Sequence, residues 1–272
     1  MQKEGGVQSP DDDLTSRAIP PPPGVDARVY DAIGRDFLGH FTKLGGLEPN
    51  ERVGDVMCGF GRMAVQLARY LTPRGRYFGF DTRERAIRWC EENIGERHPH
   101  FRFRHAPLRN AFWSPGGDVA ASEFSFPYPD AWFNFVIVTA VMPHLTPPDM
   151  ERFLSETTRV LVPGGRAFLT YFVIDDTALA NLEAGKATRE FVHRYDDVSW
   201  VMNAEMPEAT IAFEQNYLLK ALRNFGLRVS QPISYGSWSG RDDFVSYQDI
   251  VIASRPKSRR TRLSKAFQRG AH

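Results

Sequence analysis

The sequence predicts an α/β fold: a doubly wound, mostly parallel seven-stranded sheet whose last strand runs antiparallel. Three observations predict it. Strand-like and helix-like patterns alternate between residues 25 and 254, which implies a parallel sheet covered by helices on both faces. Phe133 to Thr139 is a nearly continuous apolar run, as expected of a strand buried on both sides. The last two strand patterns, Leu227 to Ile233 and Tyr247 to Ser254, are joined by a loop with no room for a crossover helix, so they pair antiparallel.

The elements follow in order. Met1 to Gly24 contains Asp11-Asp12-Asp13 and the run Pro20 to Pro23, a composition expected to be disordered or extended. Val29, Ile33, Phe37, Phe41 and Leu44 recur at nearly helical spacing and stop at Gly45-Gly46, which predicts a leading amphipathic helix. Arg52 to Met57 reads as the first strand, followed by a helix marked by Ala64, Leu67, Ala68 and Leu71. Arg76 to Phe80 is the second strand, and Ala86, Ile87, Cys90 and Ile94 mark its helix. His100 to His105 alternates as a third strand, and a loop rich in Pro, Gly and Ser leads to Asp130. After the buried fourth strand, Pro147-Pro148 opens a helix where missing N–H groups do no harm. Arg166 to Ile174 is the fifth strand, and Leu218, Ala221, Leu222 and Phe225 mark the last helix. Residues 175–213 between them are too many for a simple connection, so they form an insertion in a domain spanning 25–254.

Composition narrows the class. The chain has 272 residues, 42% hydrophobic and 25% charged, enough for one generous core. Seven basic residues and no acid lie from Arg255 onward, so residues 255–272 read as a solvated basic tail. Setting those seven aside turns the net charge of +1 into −6, which argues against a nucleic-acid groove on the folded part. Two cysteines, Cys58 and Cys90, cannot build a disulfide framework. Met1 to Pro10 lacks the apolar stretch of a signal peptide, and no apolar run approaches the roughly twenty residues of a membrane span. A cytoplasmic protein is expected. Oligomeric state is not legible, and no cluster with metal-ligand spacing is present.

The informative motif is the turn after the first strand. Val53 to Gly61 runs an acidic strand into Gly59-Phe60-Gly61, with a helix at once behind it, and Asp81 ends the second strand twenty residues on. That is a nucleotide-like pocket: close backbone approach at the turn, and a carboxylate for a ribose diol. Gly59 to Ala64 also satisfies the dinucleotide pattern, so a nicotinamide cofactor stays open on the turn alone. Asp55 within the first strand, Phe126 to Asp130 ahead of the fourth strand, Leu161 to Gly165 ahead of the fifth and the antiparallel closing strand add to it.

Together these resemble the class I S-adenosylmethionine-dependent methyltransferases, in the small-molecule subgroup with a leading helix, over roughly Val25 to Ser254. The resemblance implies a Rossmann-like sheet with S-adenosylmethionine at Asp55, Cys58, Gly59, Phe60, Gly61, Asp81 and Thr82. It also implies that the loop at Pro107 and Leu108 covers the adenine, and that Thr139 and Val141 line the cofactor. Two positions depart from the family. Met57 stands where Gly is usual and is expected to keep φ negative. Pro107 stands where many relatives carry an Asp, with Asn110 or a backbone carbonyl as the expected substitute.

Methyl transfer requires acceptor and methyl in line, so holding that geometry can supply much of the catalysis and a base is optional. His144, directly after the fourth strand, is the expected base for a hydroxyl acceptor. The insertion carries His193, Tyr195 and Trp200, suited to covering a small-molecule acceptor. Trp238 and Arg241, between the last two strands, offer a flat wall and a fixed charge on the same edge. Phe112 and Trp113 are expected either to flank adenine or to form a local plug. The rival functions are a nicotinamide-dependent oxidoreductase and a methyltransferase-like binding module without catalysis.

Overall fold

The structure, a computed structural model, describes residues 19–230 and 232–257. The expected disordered start and basic tail lie mostly outside the described residues, yet the parts within them pack. Pro22 is buried and Ile19 rests on the core. Arg255 donates to the carbonyls of Thr158, Arg159 and Leu161, a cation satisfying the end of a helix.

In chain order the strands are β1 (Arg52–Val56), β2 (Arg76–Asp81), β3 (Phe101–His105), β4 (Leu108–Arg109) and β5 (Val119–Ala120). There follow β6 (Phe133–Val138), β7 (Leu161–Tyr171), β8 (Val173–Ile174), β9 (His193–Asp196) and β10 (Ser199–Val201). The last are β11 (Ile211–Glu214), β12 (Arg228–Val229) and β13 (Asp249–Ser254). The helices are α1 (Ala27–Lys43), α2 (Arg62–Tyr70), α3 (Glu84–Cys90), α4 (Pro147–Val160), α5 (Asp176–Glu183) and α6 (Gln215–Asn224).

Seven strands form one sheet in the order β12-β13-β7-β6-β1-β2-β3. Five neighbours from β3 to β7 pair in parallel, while β13 lies antiparallel to both β7 and β12. The doubly wound sheet with its antiparallel closing strand is thus the fold. Along β6 the side chains alternate between the two layers. Phe135 and Ile137 join the cluster under α1, α2 and α3; Val136 and Val138 join the one under α4 and α6. Burial on both faces explains the unbroken apolar run.

The leading helix is present, with Phe37, Phe41 and Leu44 of its expected face on the core and Val29 turned outward. Asp26 caps α1 by accepting from the N–H groups of Arg28 and Val29. Its buried residues are Tyr30, Gly34 and Phe41, whereas Val29 is 55% exposed. The reason is close approach to α2: a Cβ on Gly34 would lie 2.9 Å from Gln66. Asn134 Oδ1 accepts the Arg52 N–H at 3.0 Å and so joins β1 to β6.

The insertion is not a bare loop. β8, β11, β10 and β9 form a second, four-stranded sheet, seated on a small core of Phe172, Ile174, Phe191, Ala212 and Trp238.

Candidate functional site

β1 leaves the sheet into a tight turn at its carboxyl end. The Gly61 N–H donates to the Cys58 carbonyl at 3.0 Å, and the Cys58 N–H to the Phe80 carbonyl at 2.9 Å. Gly59 and Gly61 sit at φ 58° and 69°, the left-handed region that glycine enters freely. Met57 sits there too, at φ 58°, which corrects the expectation of a negative φ. The methionine therefore carries left-handed strain, about 1–2 kcal/mol. Among the described residues only Met57, Ala131 and Ala140 are non-glycine with positive φ. Two of these three, Met57 and Ala140, face the same groove.

That groove consists of two cavities of about 300 Å³ each. The first is lined by Tyr30, Asp55, Cys58, Gly59, Phe60 and Arg62, among others. The second is lined by Asp81, Thr82 and Trp113. Met57, Arg83 and Ala140 line both and so stand at their junction.

One residue lining each cavity has a buried polar atom with no partner: Arg62 Nε for the first and Thr82 Oγ1 for the second. Arg62 is the first residue of α2, where the helix dipole disfavours a cation, and Gly61 offers no side-chain cap. Burial pulls its pKa down, opposed by Tyr30 and by the Asp55 carboxylate, and among the described residues no carboxylate lies within ion-pair distance of it. Asp55, 2% exposed, shares this cavity. Burial pushes its pKa up to about 7, against the pull of the Tyr77 hydroxyl, which donates to it at 2.6 Å. A charge without a partner in a cavity is a ready contact for a ligand of opposite charge.

Comparison with known proteins identifies the type of domain. Residues 53–165 match the family described as a methyltransferase domain. Over that segment the chain is similar to the S-adenosylmethionine-dependent methyltransferases. A demethylmenaquinone methyltransferase of Listeria welshimeri is 26% identical over 153 residues, 56% of each chain; the chain thus spans about half the length of that relative. The fold matches a methyltransferase structure from Methanosarcina mazei at 20% identity and a TM-score of 0.53, covering 79% of this chain and 97% of that one. It also matches a Burkholderia thailandensis 1,6-didemethyltoxoflavin N1-methyltransferase, crystallised with its substrate and S-adenosylhomocysteine. There the identity is 17%, the TM-score 0.52 and the coverage 94% of both chains. The match favours S-adenosylmethionine over the nicotinamide reading of Gly59 to Ala64.

S-adenosylmethionine, the family's cofactor, carries an α-amino acid at one end and adenosine at the other, joined at sulfur. The methyltransferase groove fits it on three observations of this structure. It has two chambers of similar size, the first offers Arg62 and Asp55 to a carboxylate and an ammonium, and the second offers Asp81 and Thr82 to a nucleoside. Asp81 is buried and accepts from the Gly59 N–H at 2.7 Å, the Arg83 N–H at 2.9 Å and Arg83 Nε at 3.0 Å. When bound, the cofactor supplies an electrophilic methyl group.

Other expected residues are placed as follows. Thr139 lines the first cavity beside Ala140, whose N–H donates to Thr170 Oγ1 at 2.8 Å. Val141 is buried, and Pro107 and Leu108 line neither cavity: Leu108 is in the core and Pro107 is exposed. Asn110 cannot stand in for the missing Asp. Its amide donates to the His144 carbonyl and its Oδ1 accepts from the N–H groups of Phe112 and Trp113. Phe112 stacks on the His144 ring at 5.7 Å, and Trp113 meets it edge-on at 4.9 Å. Trp113 also lines the second cavity, so His144 lies one ring behind the groove.

Trp238 is no exposed wall. It is fully buried, and its indole N–H donates to Asp249 Oδ2 at 2.8 Å. Arg241 pairs with both oxygens of Asp175, the cap of α5, and lines a separate cavity of about 500 Å³. His193 and Tyr195 are exposed on the edge strand β9, and Trp200 lies under the Arg194 guanidinium at 4.2 Å. None of these five lines the groove. Sequence reasoning passed over Tyr30, Arg62, Arg83 and Ala140. A cation in the first turn of a helix, against the dipole, was the legible signal for Arg62.

Proposed function

We propose that this chain transfers a methyl group from S-adenosylmethionine to a small molecule, at a hydroxyl oxygen. The observation that carries the proposal is the pair of matched cavities across Met57, each lined by a residue with a buried polar atom lacking a partner. In this reading Arg62 and Asp55 hold the amino-acid end, and Asp81 and Thr82 hold the ribose. Chemistry takes place at the junction beside Ala140.

His144, one ring behind the groove, serves as the base in this reading only once Trp113 moves aside. Its Nδ1 faces the Glu208 carbonyl at 3.1 Å, so Nδ1 carries the proton and Nε2 keeps its lone pair. Burial lowers its pKa, which keeps the ring neutral at pH 7 and able to accept a proton. His193, Tyr195 and Trp200, which line neither cavity, have no part in holding the acceptor in this reading. The named activities of the relatives, on a quinone precursor and on a toxoflavin precursor, agree with a small-molecule acceptor.

Calorimetry with S-adenosylhomocysteine tests the proposal. The wild type should bind, and Arg62→Ala and Asp81→Ala should each weaken binding by about 1.5–3 kcal/mol, the worth of a hydrogen bond to a charged group. Folded protein that ignores millimolar ligand would end this reading. A binding module without catalysis would then stand, a reading favoured by Arg83 lying on Asp81.

A further inference from the structure

Asp81 faces a competitor within its own chain. Both of its oxygens are occupied: Oδ1 by the backbone and Nε of Arg83, Oδ2 by the Gly59 N–H and by Arg83 Nη2 at 3.4 Å. The Arg83 guanidinium arches over the glycine turn, 2.9 Å from where a Cβ on Gly59 would lie, and 5.7 Å from the Phe60 ring. It borders both cavities, as Met57 does. Its side chain is 54% exposed, so it has room to swing outward, whereas Asp81 at 2% has none.

The geometry points to Arg83 as a latch on the cofactor groove: its guanidinium occupies the ribose carboxylate until the cofactor displaces it. This rests on the cofactor reading above. Two consequences follow from charge alone. Opening the latch gives up an ion pair that is half in solvent, so the ligand binds more weakly than it would to Asp81 unaided. The junction of the two cavities, where the cofactor's sulfur must lie, then has a guanidinium nearby. That cation disfavours the positively charged sulfonium of the substrate relative to the neutral thioether of the product.

Titration calorimetry on Arg83→Ala with S-adenosylhomocysteine and with S-adenosylmethionine tests the latch. The expected result is a Kd for the thioether lower by about two- to fivefold, the equivalent of an exposed ion pair. The gain should be larger for the sulfonium. Arg83→Gln, which keeps the length of the stem, serves as the second variant and should act in the same direction. An unchanged Kd, or one that rises in both variants, would overturn the latch while leaving the cofactor reading intact. If neither the wild type nor the variants bind, the cofactor reading itself fails and the latch falls with it.

Discussion

The two ends of the ligand edge treat their charges in opposite ways. Beside β1 and β2, Arg62 has no carboxylate within ion-pair distance, Asp55 is buried with a single hydroxyl partner, and Thr82 Oγ1 has none. Beside β8 and β13 the carboxylates are answered within the chain, while Arg241 Nε is left without a partner. Asp249 accepts from the N–H groups of Val173 and Gly236 at 2.6 Å and from the Trp238 indole, and Arg241 grips Asp175. The first region keeps buried polar groups waiting for a ligand, at a cost in stability. The second uses them to fix the insertion sheet onto the main sheet. Buried carboxylates thus line a cavity in one place, at Asp55, and fasten a scaffold in the other, at Asp249.

The largest effect should come from the scaffold. Asp249→Ala strands three buried donors, and should lower unfolding free energy by roughly 3–5 kcal/mol in urea titration. Binding of S-adenosylhomocysteine by the protein that remains folded should stay within about twofold of the wild type. Lost binding with unchanged stability would reverse the roles of the two regions.

Asp55 provides the next test, through pH. Its folded pKa of about 7 exceeds the unfolded value, so the folded chain holds a proton that the unfolded chain releases near pH 4. Stability from the protonated carboxyl is therefore full at pH 4 and is lost as pH rises through 7. Asp55→Asn removes that loss. Its stability advantage should grow from near zero at about pH 4 to on the order of 4 kcal/mol above pH 7. A difference that stays flat across urea titrations at these pH values would show Asp55 to be an ordinary carboxylate.

The smallest effect is expected at Met57. Glycine there would relieve about 1–2 kcal/mol of left-handed strain but add about 0.5–1 kcal/mol of unfolded-chain entropy. Met57→Gly should therefore raise Tm slightly, and a lower Tm would mean that the side chain's packing outweighs its backbone strain.

Much of this was legible from sequence. Alternating periods, the apolar run of β6 and the short β12–β13 connection led to the sheet and its antiparallel strand, because each reflects burial along a single element. Asp55, Asp81 and the glycine turn were legible for the same reason: they belong to one strand-turn-helix unit. What escaped depends on contacts between distant segments. Gly34 against Gln66 turned Val29 outward, and Asp249 drew Trp238 inward. Arg83 reached back across the turn to Asp81, although the two are only two residues apart. A side chain's partner is chosen in three dimensions, and the 175–213 segment gave no sign that β11 would pair with β8 rather than lie loose.

The leading helix has one further role. Tyr30 on α1 donates its hydroxyl to the Phe60 carbonyl at 2.7 Å, and Asp31 accepts from Gln66 on α2 at 2.8 Å. The same Tyr30 forms part of the first cavity's wall. Docking of α1 and occupancy of that cavity are therefore thermodynamically linked: whatever steadies the helix against the turn raises affinity, and a ligand in the cavity steadies the helix in return by the same free energy.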